Sequence, residues 1–394
     1  MSEKSSSLNS KSSPSPTSGQ GTESRRGFIR GSSLLLASAL PAANASGQQA
    51  ESRPRLGLVG CGTSGVQLAK AAMQQGEVEL VAMADSSAAR IHQATRALKS
   101  RSKQAFAVER QNALVGKKAY EDLLCRDLDW VIVAVPYALR PVVTASAIEA
   151  RKSIYVEQPL ASCGAGFARL LSAAGSIQAE QPKVFCGNRQ DLEAKHAELL
   201  AHVDKGAIGK IQKIIANAKY PTPDCKMSTW RQDFNLAGDG TLRHRAALAR
   251  LAIRYLGRAV EANPQSQVEY GESQLDSRVR IQFESGQLIS RCHLAEHFSS
   301  PSEVIEMIGS EGRCELHRGR IYNLAGEITH RIAPQKMDRG MHLLATMEAW
   351  HGRRIERSAE ARTIQEALPE IEAALMAQAA GRFGRCVKAL RGTS

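Results

Sequence analysis

A glycine-rich segment early in the chain combines residue types and spacing that suit the binding of a phosphate group. It follows a short apolar run at 55–59, and it consists of Gly60, Cys61, Gly62, Thr63, Ser64 and Gly65. A helical apolar pattern begins immediately after it. Glycines at this spacing allow a tight turn and bring backbone N–H groups against an anion at the positive end of the helix. The predicted ligand contacts are therefore Gly60, Gly62, Thr63, Ser64 and Gly65.

An acidic residue completes this pattern. The apolar segment 78–84 predicts a second strand, and Asp85 follows it, about 20 residues after the last glycine. A carboxylate at this position accepts hydrogen bonds from ribose hydroxyls, so the whole segment predicts a β-α-β unit that binds a nicotinamide dinucleotide. Asp85 favours NAD, whereas Ser86, Ser87 and Arg90 are suited to the 2′-phosphate of NADP. Both cofactors therefore stay open, with NAD slightly favoured.

Two later strand patterns bring further groups to the same edge of the predicted sheet. The run 128–135 ends at Pro136, the run 153–156 ends at Glu157, and a helix is predicted between them over 142–150. Ligands of parallel α/β sheets bind outside the carboxyl ends of the strands. Pro136 and Glu157 are therefore predicted cofactor contacts.

In the second half of the chain, apolar residues recur with a different period. Strand patterns separated by turns occur at 211–219, 277–283, 288–294 and 304–308. The sequence therefore predicts an α/β fold in which a Rossmann dinucleotide-binding domain is followed by an α+β domain with an open, largely antiparallel sheet. The predicted domains are residues 46–175 and residues 176–394.

One helix is sharply defined within the second domain. Its apolar face carries Leu248, Leu251, Ala252 and Tyr255. Gly257 is placed to end the helix. A neighbouring face carries Arg243, Arg250 and Arg254. These arginines predict either an anion-binding stripe or a solvated edge.

The first 45 residues predict export from the cytoplasm. Residues 1–22 have the composition of a disordered leader, and Arg25 and Arg26 precede the apolar run 34–40 and an A-x-A motif at 43–45. This order predicts a twin-arginine signal peptide, cleavage at its end, and a periplasmic protein with a retained cofactor. The apolar run is shorter than the about 20 residues that span a bilayer, so we expect no membrane anchor after cleavage. Retention of the segment as an anchor is the alternative.

Composition narrows the classes of ligand. The formal net charge is +13, but the basic residues are dispersed with few aromatic residues between them, which argues against nucleic-acid binding. An anionic ligand or polymer stays compatible with this charge. The 8 cysteines form no C-x-x-C pair and have no metal-ligand spacing with histidine, so no metal site is predicted.

The chain resembles the Gfo/Idh/MocA family, named for glucose-fructose oxidoreductase and inositol dehydrogenase. Besides the glycine turn, segment 134–136 matches the family's A-x-P turn, and segment 151–159 is similar to its G-K-x-V-x-x-E-K-P turn. Segment 206–211 is similar to a G-x-I-G-K motif, and segment 302–312 to a late strand and turn. The resemblance implies an NAD(P)-dependent oxidoreductase that acts on a sugar or sugar-like alcohol and forms homo-oligomers through the open sheet face.

The catalytic positions depart from the family pattern. Gln158 stands where the family has a lysine beside the substrate hydroxyl. In the helix after the glycine-containing turn at 238–240, His244 replaces an aspartate and Leu248 replaces the histidine that moves the proton. The resemblance then implies Gln158 as a hydrogen-bond donor to the substrate and His244 as the substitute proton acceptor.

Three functions stay compatible with these replacements. The first is a sugar oxidoreductase with a retained cofactor. The second is a non-catalytic dinucleotide- or sugar-binding protein, because neither glutamine nor leucine titrates. The third, ranked last, is glycoside hydrolysis through transient oxidation by bound NAD, which also needs a base. His244 could instead be a capping or surface residue, and Arg140 and Arg151, at a histidine and a glycine position of the family, could block the pocket.

Overall fold

A computed structural model describes most of the chain after the predicted export signal. The described residues are 53–389, except 75–77, 101–104, 178–181, 188–191, 222–232, 239, 266–268, 272–273, 296–297, 299, 301 and 335–361. The predicted signal at 1–45 lies outside them. Within the described part of the chain, no helix is long and apolar enough to cross a membrane.

Seven strands of the described residues form the first sheet. Their bounds are β1 Arg55–Val59, β2 Glu79–Asp85, β3 Ala113–Val115, β4 Trp130–Val133, β5 Ser153–Glu157, β6 Val184–Gly187 and β16 Arg362–Thr363. The order is β16-β6-β5-β4-β1-β2-β3, with β1 to β6 parallel and β16 antiparallel to β6. All residues of β4 and β5 are buried, as expected for central parallel strands covered by helices on both faces. The strand order reverses between β1 and β4, where sheets of this kind bind ligands.

Five helices connect these strands. They are α1 Thr63–Gln74, α2 Ala88–Lys99, α3 Ala119–Leu124, α4 Arg140–Glu149 and α5 Gly164–Gly175. The predicted β-α-β unit is therefore present, with its helix starting inside the glycine segment.

The second sheet is mixed and mostly antiparallel, as predicted. Its strands are β7 Ile211–Pro221, β8 Ala259–Pro264, β9 Glu269–Gly271, β10 Gln274–Phe283, β11 Gln287–Ala295, β12 Ser302–Gly309, β13 Gly312–Glu315, β14 Arg320–Asn323, β15 Ile328–Arg331 and β17 Val387–Lys388. The order is β15-β14-β13-β12-β7-β11-β10-β8-β17, with β9 beside β10, and β7 and β11 are parallel. The helices of this half are α6 Leu192–Lys195, α7 Ala197–Asp204, α8 Phe234–Ala237, α9 Leu242–Leu256 and α10 Ile364–Phe383.

Helix α10 belongs to both halves of the molecule. Thr363 and Glu366 form a capping box at its start, and its first half packs Ile364 and Ile371 into the core under the first sheet. Its second half packs Met376 and Ala380 into the core of the second sheet. Strands β6 and β16 also join the first sheet although they lie beyond residue 175. The predicted boundary at 175 therefore does not coincide with the division between the two sheets.

The arginines of α9 do not form an open stripe. Arg250 is 2% exposed, and its Nε lies 3.3 Å from Glu193 Oε2. Arg254 pairs with Asp204 at 2.5 Å, while Arg243 is half-buried. The prediction of an anion-binding stripe or a solvated edge is wrong, because acidic residues of α6 and α7 already neutralise the two arginines nearest the end of the helix.

Candidate active site

Three glycines between β1 and α1 have separate roles. Gly60 has φ 96°, and a Cβ there would lie 2.5 Å from the Ala134 carbonyl oxygen, so only glycine fits. A Cβ at Gly65 would lie 1.9 Å from the Gly60 carbonyl oxygen, so this glycine lets α1 pack against the turn. A Cβ at Gly62 would meet nothing within 4 Å. The turn thus leaves open space at the one glycine where a pyrophosphate approaches the backbone in dinucleotide-binding folds.

Asp85 is held in place at the end of β2. Its side chain is buried, Oδ2 accepts a hydrogen bond from the Cys61 backbone N–H at 2.8 Å, and Oδ1 accepts one from the Ser87 N–H at 2.9 Å. The Arg90 guanidinium lies 4.0 Å from Oδ1. An ionised carboxylate has about four lone-pair sites, so these two donors leave capacity for ribose hydroxyls.

The thiol next to this carboxylate is structural. Burial, assisted by the charge of Asp85, raises the pKa of Cys61 to about 12. The thiol therefore stays protonated and takes no part in nucleophilic chemistry.

The other predicted cofactor contacts lie, like Asp85, at the edge of the first sheet where its parallel strands end. Thr63 and Ser64 form the first turn of α1, Ser86 is exposed after β2, Pro136 is half-buried after β4, and Glu157 is buried at the end of β5. An open backbone turn at a helix N-terminus, with a fixed carboxylate beside it, fits a nicotinamide dinucleotide. The turn and the start of α1 would hold the pyrophosphate, and Asp85 would hold a ribose.

Arg140 joins the turns that follow β4 and β5. It is 4% exposed, its Nε donates to the Val135 carbonyl at 3.0 Å, and its Nη1 donates to the carbonyls of Glu157 at 2.5 Å and Pro159 at 2.8 Å. The predicted obstruction of the pocket by Arg140 is therefore wrong, because its guanidinium is bound to backbone carbonyls. Arg151 is exposed in the turn before β5, at the opposite edge of the sheet, so it does not block the site either.

Gln158 contacts a residue that the sequence did not indicate. Its Nε2 donates a short hydrogen bond to Oε2 of Glu370, which lies on α10 and is 0% exposed. Its Oε1 is buried and has no hydrogen-bond partner among the described residues. An unpaired buried acceptor costs about 1–3 kcal/mol, so such an atom is expected where a ligand completes the bond. Glu370 binds one of the two N–H donors of this amide, so the donor role stays a prediction, and Oε1 is an acceptor without a partner among the described residues.

The turn before α9 lies beside these groups. The Ala138 N–H, just after the A-x-P turn, donates to the Leu236 carbonyl of α8 at 3.1 Å. Leu242 and Ala246 at the start of α9 pack into the core of the first sheet. One face of the first turns of α9, which carries Leu242 and Ala246, therefore packs on the domain with the glycine turn, whereas His244 contacts Tyr220 and Glu303 on strands of the second sheet.

His244 is the centre of a buried polar cluster. It is 3% exposed, and its Nδ1 lies 3.0 Å from Tyr220 Oη and 3.0 Å from Glu303 Oε1. The Tyr220 hydroxyl also donates to Glu303. The His244 Nε2 is buried without a hydrogen-bond partner among the described residues. The alternative of a surface or capping histidine is therefore wrong.

The cluster favours a charged pair. Burial lowers the pKa of His244, but the neighbouring Cys292 sulfur and the Glu303 carboxylate outweigh burial and raise this pKa to about 9. Burial raises the pKa of Glu303, but hydrogen bonds and charge from His244 and the Tyr220 hydroxyl outweigh it and lower this pKa to about 2. At neutral pH the pair is imidazolium and carboxylate. In this state His244 can donate a proton, and the acceptor role, which requires the neutral imidazole, stays a prediction.

The remaining catalytic position is apolar. Leu248 is 0% exposed and packs in the core of the second sheet. The structure thus brings Gln158 together with Glu370, and His244 with Tyr220, Glu303 and Cys292. None of these partners was predicted as a site residue, because a lone acidic or phenolic residue in a strand or helix carries no spacing signal.

Comparison with known protein families identifies the first domain. Residues 54–179 match the model of the Gfo/Idh/MocA oxidoreductase family, described as an NAD-binding Rossmann fold. This segment is a Gfo/Idh/MocA domain. No curated protein sequence gives a significant match to the chain. The fold class and the class of cofactor predicted from the glycine turn are confirmed.

Solved structures share the fold of both domains. The WlbA dehydrogenase from Bordetella pertussis, in complex with NADH and UDP-GlcNAcA, has a TM-score of 0.65 and 15% identity, covering 86% of this chain and 99% of its own. The aldose-aldose oxidoreductase from Caulobacter crescentus, complexed with glycerol, has a TM-score of 0.61 and 19% identity, covering 85% and 99%. The biliverdin reductase from Synechocystis sp. PCC 6803, with biliverdin and NADP+, has a TM-score of 0.65 and 16% identity, covering 83% and 99%.

These likenesses show the fold, and they differ in substrate. Two of the three proteins bind sugar-like molecules and the third binds biliverdin. A Gfo/Idh/MocA domain joined to an open mixed sheet therefore leaves the choice of substrate to the side chains at the site.

Proposed function

We propose that this protein binds NAD at the turn between β1 and α1 and transfers hydride between the nicotinamide and a sugar-like substrate. The open space at Gly62, beside a carboxylate fixed by two backbone N–H groups, is the observation that carries the cofactor assignment. Sugar-like ligands in two proteins of the same fold support the substrate class. Bound NAD supplies the hydride acceptor, and its reduced form supplies the donor.

Asp85 makes NAD the preferred cofactor. Its carboxylate is buried beside the site of the ribose, where it would repel a 2′-phosphate. Arg90 lies 4.0 Å from that carboxylate, so its charge is partly used by Asp85 rather than held ready for a phosphate.

The proton balance favours reduction of a carbonyl over oxidation of an alcohol. Oxidation needs a group that accepts the hydroxyl proton, whereas reduction needs a proton donor at the new hydroxyl. The neighbouring Cys292 sulfur and the Glu303 carboxylate raise the pKa of His244 to about 9, so it is an imidazolium at neutral pH. We propose that it donates the proton to the substrate oxygen, while Gln158 Oε1 accepts a hydrogen bond from a bound ligand.

Export with a retained cofactor is part of the proposal. The paired Arg25 and Arg26 and the apolar run that follows support a twin-arginine route to the periplasm. That compartment offers no pool of free NAD, so one retained cofactor molecule would be reduced by a donor alcohol and oxidised by the acceptor carbonyl on the same protein. In the first half-reaction the alcohol gives its hydride to NAD and its hydroxyl proton to the neutral His244, and in the second the carbonyl takes up both.

A second function has one observation in its favour. Leu248 is fully buried at the position where the family keeps its histidine. A protein that binds NAD and a sugar without turnover would have no use for a titrating residue there.

Deuterium transfer separates the two functions. NADH deuterated at C4, in each stereochemical form, is incubated at pH 7 with aldoses, ketoses and keto-sugar acids, and the products are analysed by mass spectrometry. We expect label to move from one face of the nicotinamide to one class of carbonyl. Tight binding of NADH without label transfer to any of these compounds would favour the non-catalytic binder, and absence of NADH and NAD binding at millimolar concentration would refute both.

A further inference from the structure

Gln158 lies on the nicotinamide side of the cofactor path. In the first sheet, β4 and β5 lie on the opposite side of β1 from β2. Asp85 at the end of β2 suits the adenosine ribose, and the glycine turn after β1 suits the pyrophosphate. A dinucleotide that occupies both then extends across the ends of β4 and β5, and Gln158 directly follows β5.

The backbone on both sides of Gln158 is fixed. The Gln158 N–H donates to the Gly187 carbonyl at 2.8 Å. Arg140 donates to the carbonyls of the two adjacent residues, Glu157 at 2.5 Å and Pro159 at 2.8 Å. Rotation about the side-chain bonds is therefore the freedom that remains at this position.

Glu370 removes that freedom. In its ionised form the Glu370 carboxylate only accepts hydrogen bonds, so it would bind the NH2 group of the amide and exclude the flipped orientation. A glutamine at 370 would accept either orientation, because it offers both a donor and an acceptor. Glu370 is fully buried, and Gln158 Oε1 is buried without a partner among the described residues. The result is a hydrogen-bond acceptor held in one orientation and available to a ligand.

We propose that Glu370 positions the amide of Gln158 so that Oε1 accepts a hydrogen bond from the carboxamide N–H of nicotinamide. This inference rests on the proposed function, because it requires NAD in the cleft. Glu370 is a positioning residue, since it acts on the cofactor through Gln158.

A cofactor analogue tests this inference without any turnover. In 3-acetylpyridine adenine dinucleotide a ketone replaces the carboxamide, so the N–H donor is missing, while ADP-ribose reports on the rest of the site. We expect wild type to bind NAD about fivefold more tightly than the analogue, the factor typical of one neutral hydrogen bond. Gln158→Met should remove this preference, Glu370→Gln should reduce it, and neither should change the Kd of ADP-ribose.

A matched control and a reversed pair separate positioning from general stability. Gln378→Met removes another buried amide of α10, which donates to the Ser162 carbonyl at 3.1 Å, and should leave the preference for NAD intact. The double variant Gln158→Glu with Glu370→Gln restores the hydrogen bond between the two positions and again presents an acceptor, so the preference should return. A preference that persists in Gln158→Met, or that is absent in a wild type that binds NAD, would overturn the inference. Failure of wild type to bind both NAD and ADP-ribose would instead overturn the proposed function.

Discussion

The turn after β1 and the first turns of α9 offer a ligand different parts of the chain. In the proposed function, backbone N–H groups would do the binding in the turn after β1, where side chains matter mainly by their absence at Gly60, Gly62 and Gly65. In α9, the group proposed to move a proton is the His244 side chain, which Tyr220 and Glu303 contact. A binding site formed by backbone groups tolerates many substitutions around it, whereas two substitutions are enough to remove or change a site formed by side chains.

Replacing His244 should give the largest effect. If it donates the proton, His244→Asn should lower the rate of carbonyl reduction by about 10²- to 10⁴-fold and leave the Kd of NADH unchanged. The wild-type rate should fall as pH rises through about 9, the pKa of His244, because the imidazolium is then lost. Stopped-flow measurement of the oxidation of bound NADH checks both the rate of the variant and the pH dependence of the wild type. A rate that does not depend on pH between 7 and 10 would show that another group supplies the proton.

Replacing Gly62 should give the next largest effect, confined to binding. Gly62→Val places a branched side chain in the space where the pyrophosphate approaches, so we expect at least a hundredfold loss of NAD affinity. The melting temperature should change little, because a Cβ there meets no protein atom within 4 Å. Gly175→Val is the matched control, since Gly175 is also unobstructed but lies at the end of α5. Calorimetric titration measures the NAD affinity of both variants, and equal affinity in the two would contradict a pyrophosphate at Gly62.

The ion pair at His244 predicts a pH dependence of stability. The folded-state pKa of His244, about 9, is above its unfolded value, so the stabilisation is complete below about 6.5 and is lost as pH rises through 9. The pKa of Glu303 is lowered to about 2, so its contribution is complete above about 4.3 and is lost as pH falls through 2. Urea unfolding at pH 6 and pH 9.5 should differ by on the order of 2 kcal/mol. In Glu303→Gln this difference should shrink, and an undiminished difference would assign the pH dependence to other groups.

The smallest expected effect concerns the choice of cofactor. Asp85→Asn keeps an acceptor for the Cys61 N–H but removes the charge that opposes a 2′-phosphate. The ratio of NADP to NAD affinity should rise about tenfold. Arg90→Ala in the same background should cancel part of the gain, because Arg90 is the nearest cation to that position. An unchanged ratio in Asp85→Asn would mean that Asp85 does not face the adenosine ribose.

The sequence allowed the glycine turn and the longer strands of the second sheet to be predicted because their patterns are local. The β-α-β unit spans 55–85, and the predicted runs 211–219, 277–283, 288–294 and 304–308 fall within β7, β10, β11 and β12, whereas the short strands β9, β13, β14, β15 and β17 gave no such run. The partners of His244 and Gln158 could not be predicted in this way. Tyr220, Glu303 and Glu370 lie 24, 59 and 212 residues from the groups they bind, and no short-range spacing links them.

The arginines show a related limit. Arg140 was considered an obstruction of the pocket because it stands at a histidine position of the family, and Arg250 was predicted to belong to an anion-binding stripe or a solvated edge. Both are buried, and each meets acceptors from an element distant in sequence, the turn after β5 for Arg140 and α6 for Arg250. The burial of a charged side chain depends on such acceptors. The spacing of charges along one helix is therefore a poor predictor of whether those side chains are buried or exposed.

The position of α10 has a consequence for the order in which the protein can be made. The first sheet gains its edge strand β16 and a layer of its core only from residues 362 onward, near the end of synthesis. A ribosome that has produced the whole glycine turn, β5 and β6 has therefore not yet produced the helix against which they pack. The nascent chain cannot complete its nucleotide-binding half ahead of the other half, and a truncation that removes α10 should leave both halves unfolded. If the proposed twin-arginine route carries this protein in its folded state, α10 must be complete before the chain leaves the cytoplasm.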